Sequence, residues 1–150
     1  MSKRGILGGL LGGGQGNEGG GDFPVARSEA EWRALLSPQQ YAVLRGHGTE
    51  PPRSSPLNGE HRPGTFHCAG CAKPLFDMAD KFESGTGWPS FTRPLPDAVA
   101  ESEDRKFFMV RTEVHCADCG GHLGHVFPDG PPPTGMRNCM NGIALTFKPV

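Results

Sequence analysis

Apolar residues recur at helical spacing early in the chain and at alternating spacing late in it. Over Ser28 to Arg45 the pattern is helical. Ser28 with Glu31 forms a capping box, and Trp32, Leu35 and Leu36 follow at i, i+3 and i+4. A second box, Ser37 with Gln40 and with Pro38 at the first helical position, restarts a helix. Tyr41 and Leu44 fall on its buried face, and Gly46 and Gly48 end it. From Pro51 to Gly64 the chain is rich in Pro, Gly, Asn and Ser, which predicts a long irregular arm.

Beyond that arm the pattern is extended. KFFMVRTEVHC, residues 106–116, reads as one strand with Phe108, Val110, Thr112 and Val114 on one face and Phe107, Met109 and Arg111 on the other. HLGHVF (122–127) and CMNGIALTFK (139–148) are further strand candidates. Gly120-Gly121 and Asp129-Gly130 mark turns, and three consecutive prolines from Pro131 a stiff connection. The pattern predicts a mainly antiparallel β domain with a helical N-terminal annex.

Composition narrows this. A chain of 150 residues suits one domain with one core. With 23 glycines, 15 prolines and 35% hydrophobic residues, that core is small and loop-rich and benefits from a staple. Residues 1–21 are glycine-rich and offer almost nothing to bury, so they read as a flexible tail ahead of a domain over 22–150. A net charge of -1 gives no electrostatic reason to expect a nucleic-acid or membrane partner. No stretch approaches the ~20 apolar residues that span a bilayer, and the N-terminus lacks a convincing export signal. The expected address is cytoplasmic, where thiols stay reduced.

Five cysteines then carry the chemistry. Four come as Cys68-x-x-Cys71 and Cys116-x-x-Cys119. Two such knuckles complete a tetrahedral shell of four thiolates, the arrangement preferred by structural zinc. Cys116 follows Cys71 by 45 residues, far more than the ~15–20 of a compact finger, so the ion would clamp distant parts of a larger domain. Redox dithiols and two structural disulfides are the competing readings. A closed all-cysteine site leaves no position for substrate, so its contribution is to folding, of about 10–16 kcal/mol in small modules.

The fifth cysteine, Cys139, is either a buried apolar residue or a nucleophilic thiol. In an extended segment Arg137 and Asn141 share its side, and a nearby cation favours thiolate. His122 and His125 form the only H-x-x-H in the chain. They are one more pair of zinc ligands, solvated polar residues, or the acid–base partners that cysteine chemistry uses. Trp88, framed by Gly87 and Pro89 in GTGWPSF, either packs in the core or displays its ring to a ligand.

The ordered set CxxC, GTGWPSF, CxxCGGHLGHVFPDGP and RNCMN closely resembles the B-type methionine sulfoxide reductases, and the likeness extends over roughly residues 22–150. It implies two antiparallel β-sheets of the β-tent type with short N-terminal helices, and one zinc ion per chain held by Cys68, Cys71, Cys116 and Cys119 away from the active site. It implies Cys139 as nucleophile, with His122 and His125 in the reaction pocket and Asp129, Arg137 and Asn141 orienting them. Trp88 would contact the substrate's S-methyl group, with Phe91 as a second substrate-binding residue. The reaction would be reduction of the R epimer of methionine sulfoxide through a Cys139 sulfenic acid, with thioredoxin or another thiol as reductant and a monomer as the working unit.

Two positions depart from the family pattern. Relatives with an internal resolving cysteine carry it at the position of Thr86, and this chain has no sixth cysteine. That predicts a one-cysteine cycle resolved by an external thiol. Asn138 stands where an aromatic residue or His is common, which would alter pocket shape or substrate preference. The rival functions are a non-catalytic binding module on the same scaffold and a thiol redox sensor. A sensor would not need the Trp88 pocket. A zinc-finger nucleic-acid binder fits neither the charge nor the spacing.

Overall fold

The structure is a computed structural model that describes residues 23–150 apart from residue 107. The expected tail over 1–21 and the strand position of Phe107 lie outside the described residues. Among the described residues two α-helices, α1 (Glu29–Leu35) and α2 (Pro38–Leu44), precede nine strands. The strands are β1 (Gly64–Cys68), β2 (Pro74–Asp77), β3 (Lys81–Phe82), β4 (Ser90–Phe91), β5 (Val99–Lys106), β6 (Met109–Cys116), β7 (His122–Phe127), β8 (Arg137–Met140) and β9 (Leu145–Pro149). No helix among the described residues is long and apolar enough to cross a membrane.

Both helices start where the capping boxes place them. Ser28 accepts from the Glu31 amide and Ser37 from the Gln40 amide, with each partner's side chain bonding back. Trp32 and Leu36 are buried, but Leu35 is 54% exposed, because the helix stops there and Leu36 is already extended. Arg45 stacks on the Trp32 ring at 4.5 Å and donates to the Cys119 carbonyl, tying the annex to the second cysteine pair.

The strands form two antiparallel sheets, as the alternating pattern requires. One has the order β9-β1-β2 and the other β3-β4-β8-β7-β6-β5. The core lies between them. Phe91 on β4 stacks on Phe76 of β2 at 4.3 Å and meets Phe66 of β1 edge-on at 5.0 Å. Aromatic pairs of this geometry add to the area they bury.

Two strand expectations change in detail. Residues 106–116 are not one strand: Lys106 ends β5, Phe108 sits in a turn at φ +61°, and β6 begins at Met109. Charged residues fill most of β5 (VAESEDRK), so no hydrophobic alternation announced it. Residues 139–148 likewise divide. The segment leaves the large sheet after Met140, makes a 3₁₀ turn over Gly142–Ala144, and joins the small sheet as β9. Glu50 fixes that corner, its carboxylate accepting from the Gly142 and Ile143 amides at 2.8 Å each.

Candidate active site

Cross-strand register decides which side chains meet. On the large sheet Ser90, Cys139, His125 and Glu113 stand opposite one another on β4, β8, β7 and β6. Residues paired in this way share a face. One position along, Phe91 pairs with Asn138 and Asn138 with Val126, and that row faces the core. The alternation therefore presents Cys139 and buries Phe91, which is 0% exposed and packed among Phe66 and Phe76. Asn138 is buried beside Phe91, donating to its carbonyl at 3.2 Å.

Cys139 opens into a cavity of about 310 Å³ lined also by Thr49, Thr86, Trp88, Arg111, His125, Phe127, Arg137, Met140 and Asn141. Gly124 completes the lining, and a Cβ there would collide with the Cys139 carbonyl. A larger cavity of about 630 Å³ lies between α2, the irregular arm and β9. Its lining is mainly apolar, and the one carboxylate among it, Glu50, is occupied by backbone amides. The chemistry belongs to the smaller cavity.

Trp88 supplies an apolar wall. Its indole N–H donates to the Glu50 carbonyl at 3.0 Å, so its one polar atom is satisfied. Asn141 is clamped. Its carbonyl accepts from the Glu50 amide at 2.9 Å and its NH₂ donates to the Leu123 carbonyl at 3.0 Å. Glu50 and Asn141 thus lock the Trp88 wall to the turn behind the nucleophile.

The two histidines lie side by side but do different things. The β6–β7 ladder is irregular at Val114 and His115, which breaks the period-two alternation, and the two rings meet edge-on at 5.4 Å. His125 lines the cavity, and its Nε2 lies 2.9 Å from Asp104 Oδ2 on β5. The hydrogen bond from His125 foremost, and the charge of Arg111 among other causes, hold the Asp104 carboxyl below its usual range. An ionised carboxylate only accepts, so Nε2 carries the proton and Nδ1 is the basic nitrogen of the neutral ring. Burial lowers the His125 pKa, with Asp104 opposing. His122 is 2% exposed, absent from the cavity lining, and donates to Glu113 at 2.7 Å. His47 donates to the same oxygen at 2.9 Å. Burial alone would raise Glu113, but these two histidines outweigh it and hold the carboxylate ionised. The three groups could converge on a metal ion, yet both separations are those of charge-assisted hydrogen bonds.

Burial raises the Cys139 thiol above its ordinary range. The charge of Arg137 works against that rise, and the nearby polar side chains of Thr86 and Ser90 do so too. The cation expected to favour thiolate is therefore in place, but desolvation outweighs it. Arg137 is itself fixed by a two-pronged pair with Asp129 at 2.9 and 3.1 Å and by stacking on Phe127 at 4.5 Å. Asp129 is exposed and touches the site only through Arg137.

Cys68, Cys71, Cys116 and Cys119 gather in a separate cluster and none lines the Cys139 cavity. Cys68 and Cys119 sulfurs are 3.7 Å apart, and those of Cys71 and Cys116 3.5 Å. A tetrahedral ion with Zn–S near 2.3 Å sets its sulfurs about 3.8 Å apart. The donor set thus fits a structural metal. Amides of Gly70 and Gly121 point at the Cys68 and Cys119 sulfurs, the turn-forming pattern of a metal knuckle. Gly120 holds φ +74°, and a Cβ there would meet the Phe23 ring at 2.5 Å.

The residues that motif reading missed are Asp104, Arg111, Glu50, Thr49 and Phe127. Arg111 and Phe127 had a strand signal without a partner to give it meaning. Asp104 sat in the unrecognised charged strand β5, and Glu50 at the start of the irregular arm.

Comparison with known proteins meets this geometry. Residues 36–149 match the SelR domain family. The chain is similar to proteins named peptide methionine sulfoxide reductase MsrB. With that of Pseudomonas putida (strain W619) it shares 58% identity over 83% of this chain and 95% of the relative. With that of Agrobacterium fabrum it shares 54% over 84% and 94%. With that of Bradyrhizobium diazoefficiens it shares 55% over 85% and 93%.

Proposed function

The chain belongs to the B-type methionine sulfoxide reductase family, and from that membership we propose that its cavity repairs polypeptide methionine-R-sulfoxide with Cys139 as the nucleophile. The activity is that of a peptide-methionine (R)-S-oxide reductase. The observation that carries the assignment of roles is the pairing of Cys139 with His125 across β8 and β7, inside a cavity walled by Trp88.

Methionine sulfoxide is neutral, with a polarised S–O bond and an apolar methyl. The methyl lies against Trp88 and Phe127. Nδ1 of neutral His125 takes the Cys139 proton, and the thiolate attacks the substrate sulfur. His125 returns that proton to the sulfoxide oxygen. In sum the oxygen passes from substrate sulfur to Cys139 sulfur. The sulfoxide is reduced by two electrons to the thioether and Cys139 is oxidised by two to the sulfenic acid. Arg137, held by Asp129, stabilises the thiolate. Asn141 keeps the strand end in place, and His122 holds Glu113, the cross-strand neighbour of His125. Methyl, oxygen and the peptide side define three points, enough to select one epimer.

The second half-reaction uses an external thiol. Thr86 stands where a resolving cysteine would be, and the other four cysteines form the metal cluster. A thiol attacks the sulfenic acid and releases water. A second thiol then frees Cys139 and leaves as a disulfide. Thioredoxin supplies both thiols in one molecule, and a reducing cytoplasm suits such a cycle. Cys68, Cys71, Cys116 and Cys119 would hold one zinc ion, whose contribution would be to folding alone. The cavity is built by a single chain, so a monomer suffices.

Turnover of the separate R and S epimers of peptidyl methionine sulfoxide, with dithiothreitol as reductant, tests this reading. Consumption of R alone is expected. Consumption of neither, or of both equally, would overturn it.

A further inference from the structure

The hairpin of β5 and β6 projects past the rest of its sheet. The ladder between β6 and β7 reaches only Thr112 with Val126, whereas β5 and β6 stay paired out to Lys106 with Met109. Three consecutive apolar residues lie on this projection with their surfaces in water: Phe108 at 110%, Met109 at 54% and Val110 at 58% exposure. Single exposed apolar residues are ordinary, but a contiguous run marks a contact surface. Stability does not account for it. Phe108 occupies the left-handed region at φ +61°, where Asn or Gly would sit with less strain.

The projection is continuous with the cavity. Strand alternation places Met109 on the same face as Arg111, which lines the cavity. Arg111 is bridged to Asp104, the partner of His125. At about 310 Å³ the cavity holds one side chain, so the residues flanking a bound methionine sulfoxide must lie on its rim. Methionine normally sits among apolar neighbours, and its oxidation loosens such packing. A sulfoxide that has become reachable is therefore carried by a segment that exposes apolar side chains.

Resting on the reductase reading above, we infer that Phe108 and Met109 at the hairpin tip form the docking surface for the apolar residues flanking methionine sulfoxide in loosened segments of oxidised protein.

The test uses the full, metal-loaded chain and a variant carrying Phe108→Asn and Met109→Thr, with dithiothreitol as reductant. One substrate is a peptide with methionine-R-sulfoxide between leucine and phenylalanine. The other is N-acetyl methionine-R-sulfoxide amide. The variant should raise KM for the peptide about tenfold, the effect of losing roughly one good apolar contact, with kcat and the small substrate unchanged. Unchanged peptide kinetics, or an equal loss on both substrates, would overturn the docking surface. So would a loss seen only when thioredoxin replaces dithiothreitol, since the tip would then belong to the reductant. If the unaltered chain reduced neither substrate, the reductase reading itself would fail.

Discussion

His125 Nε2 donates a hydrogen bond to the Asp104 carboxylate across 2.9 Å, and this contact decides which ring nitrogen takes part in proton transfer. His125→Gln should lower kcat by about 10²–10⁴, the range for a lost general acid–base. His122→Gln should leave most of kcat and instead destabilise the fold by about 1–3 kcal/mol, because buried Glu113 loses a partner. Asp104 favours the charged imidazolium, so Asp104→Ala should lower the His125 pKa further. The acid limb of the kcat/KM profile then moves to lower pH. Steady-state kinetics with thermal melts on the three variants check this.

Cys139 sits in a pocket where burial opposes ionisation and Arg137 assists it. The thiol pKa is raised, so the rate of Cys139 alkylation, which needs the thiolate, should climb as pH rises from neutral into the alkaline range. Arg137→Gln removes a cation that stabilises thiolate, which raises the pKa again and carries the profile further to alkaline pH. Each unit of that displacement costs about tenfold in thiolate at neutral pH. The pH dependence of Cys139 alkylation, followed by mass spectrometry, measures it directly.

Metal analysis should return one ion per chain, in the four-cysteine cluster. Stripping it, or Cys68→Ser, should lower the melting temperature sharply, whereas Cys139→Ser should retain both metal and fold. An unchanged melt after complete metal removal would rule out the structural role.

Thr86 lines the cavity together with Cys139. Thr86→Cys should therefore supply an internal resolving thiol. One turnover of that variant without reductant should leave a disulfide between the introduced cysteine and Cys139, seen by peptide mapping. The unaltered chain should leave a sulfenic acid instead.

Much of this was legible from short-range signals. The capping boxes of Ser28 and Ser37, the strand of His122–Phe127 and the two cysteine pairs are local patterns with local causes. What was not legible depended on register. Phe91 stands next to Ser90, and only the pairing of Ser90 with Cys139 reveals that Phe91 belongs to the core. His122 and His125 read as one unit, and their rings do touch at 5.4 Å, but only His125 lines the cavity while His122 turns to Glu113. Asp104 came from a strand whose charges hid it. It reaches His125 because the β5–β6 ladder, which sets Asp104 opposite Arg111, and the β6–β7 ladder, which sets Glu113 opposite His125, bring two distant segments together.

The proposed mechanism turns on Cys139 taking the substrate's oxygen. Metal-loaded chain is mixed with a slight excess of peptidyl methionine-R-sulfoxide, without reductant and with a sulfenic-acid trap, and digested for peptide mass spectrometry. One methionine formed per chain is expected, with the trap attached at Cys139 alone. Methionine formed with Cys139 unmodified, or undiminished turnover by Cys139→Ser, would contradict the mechanism.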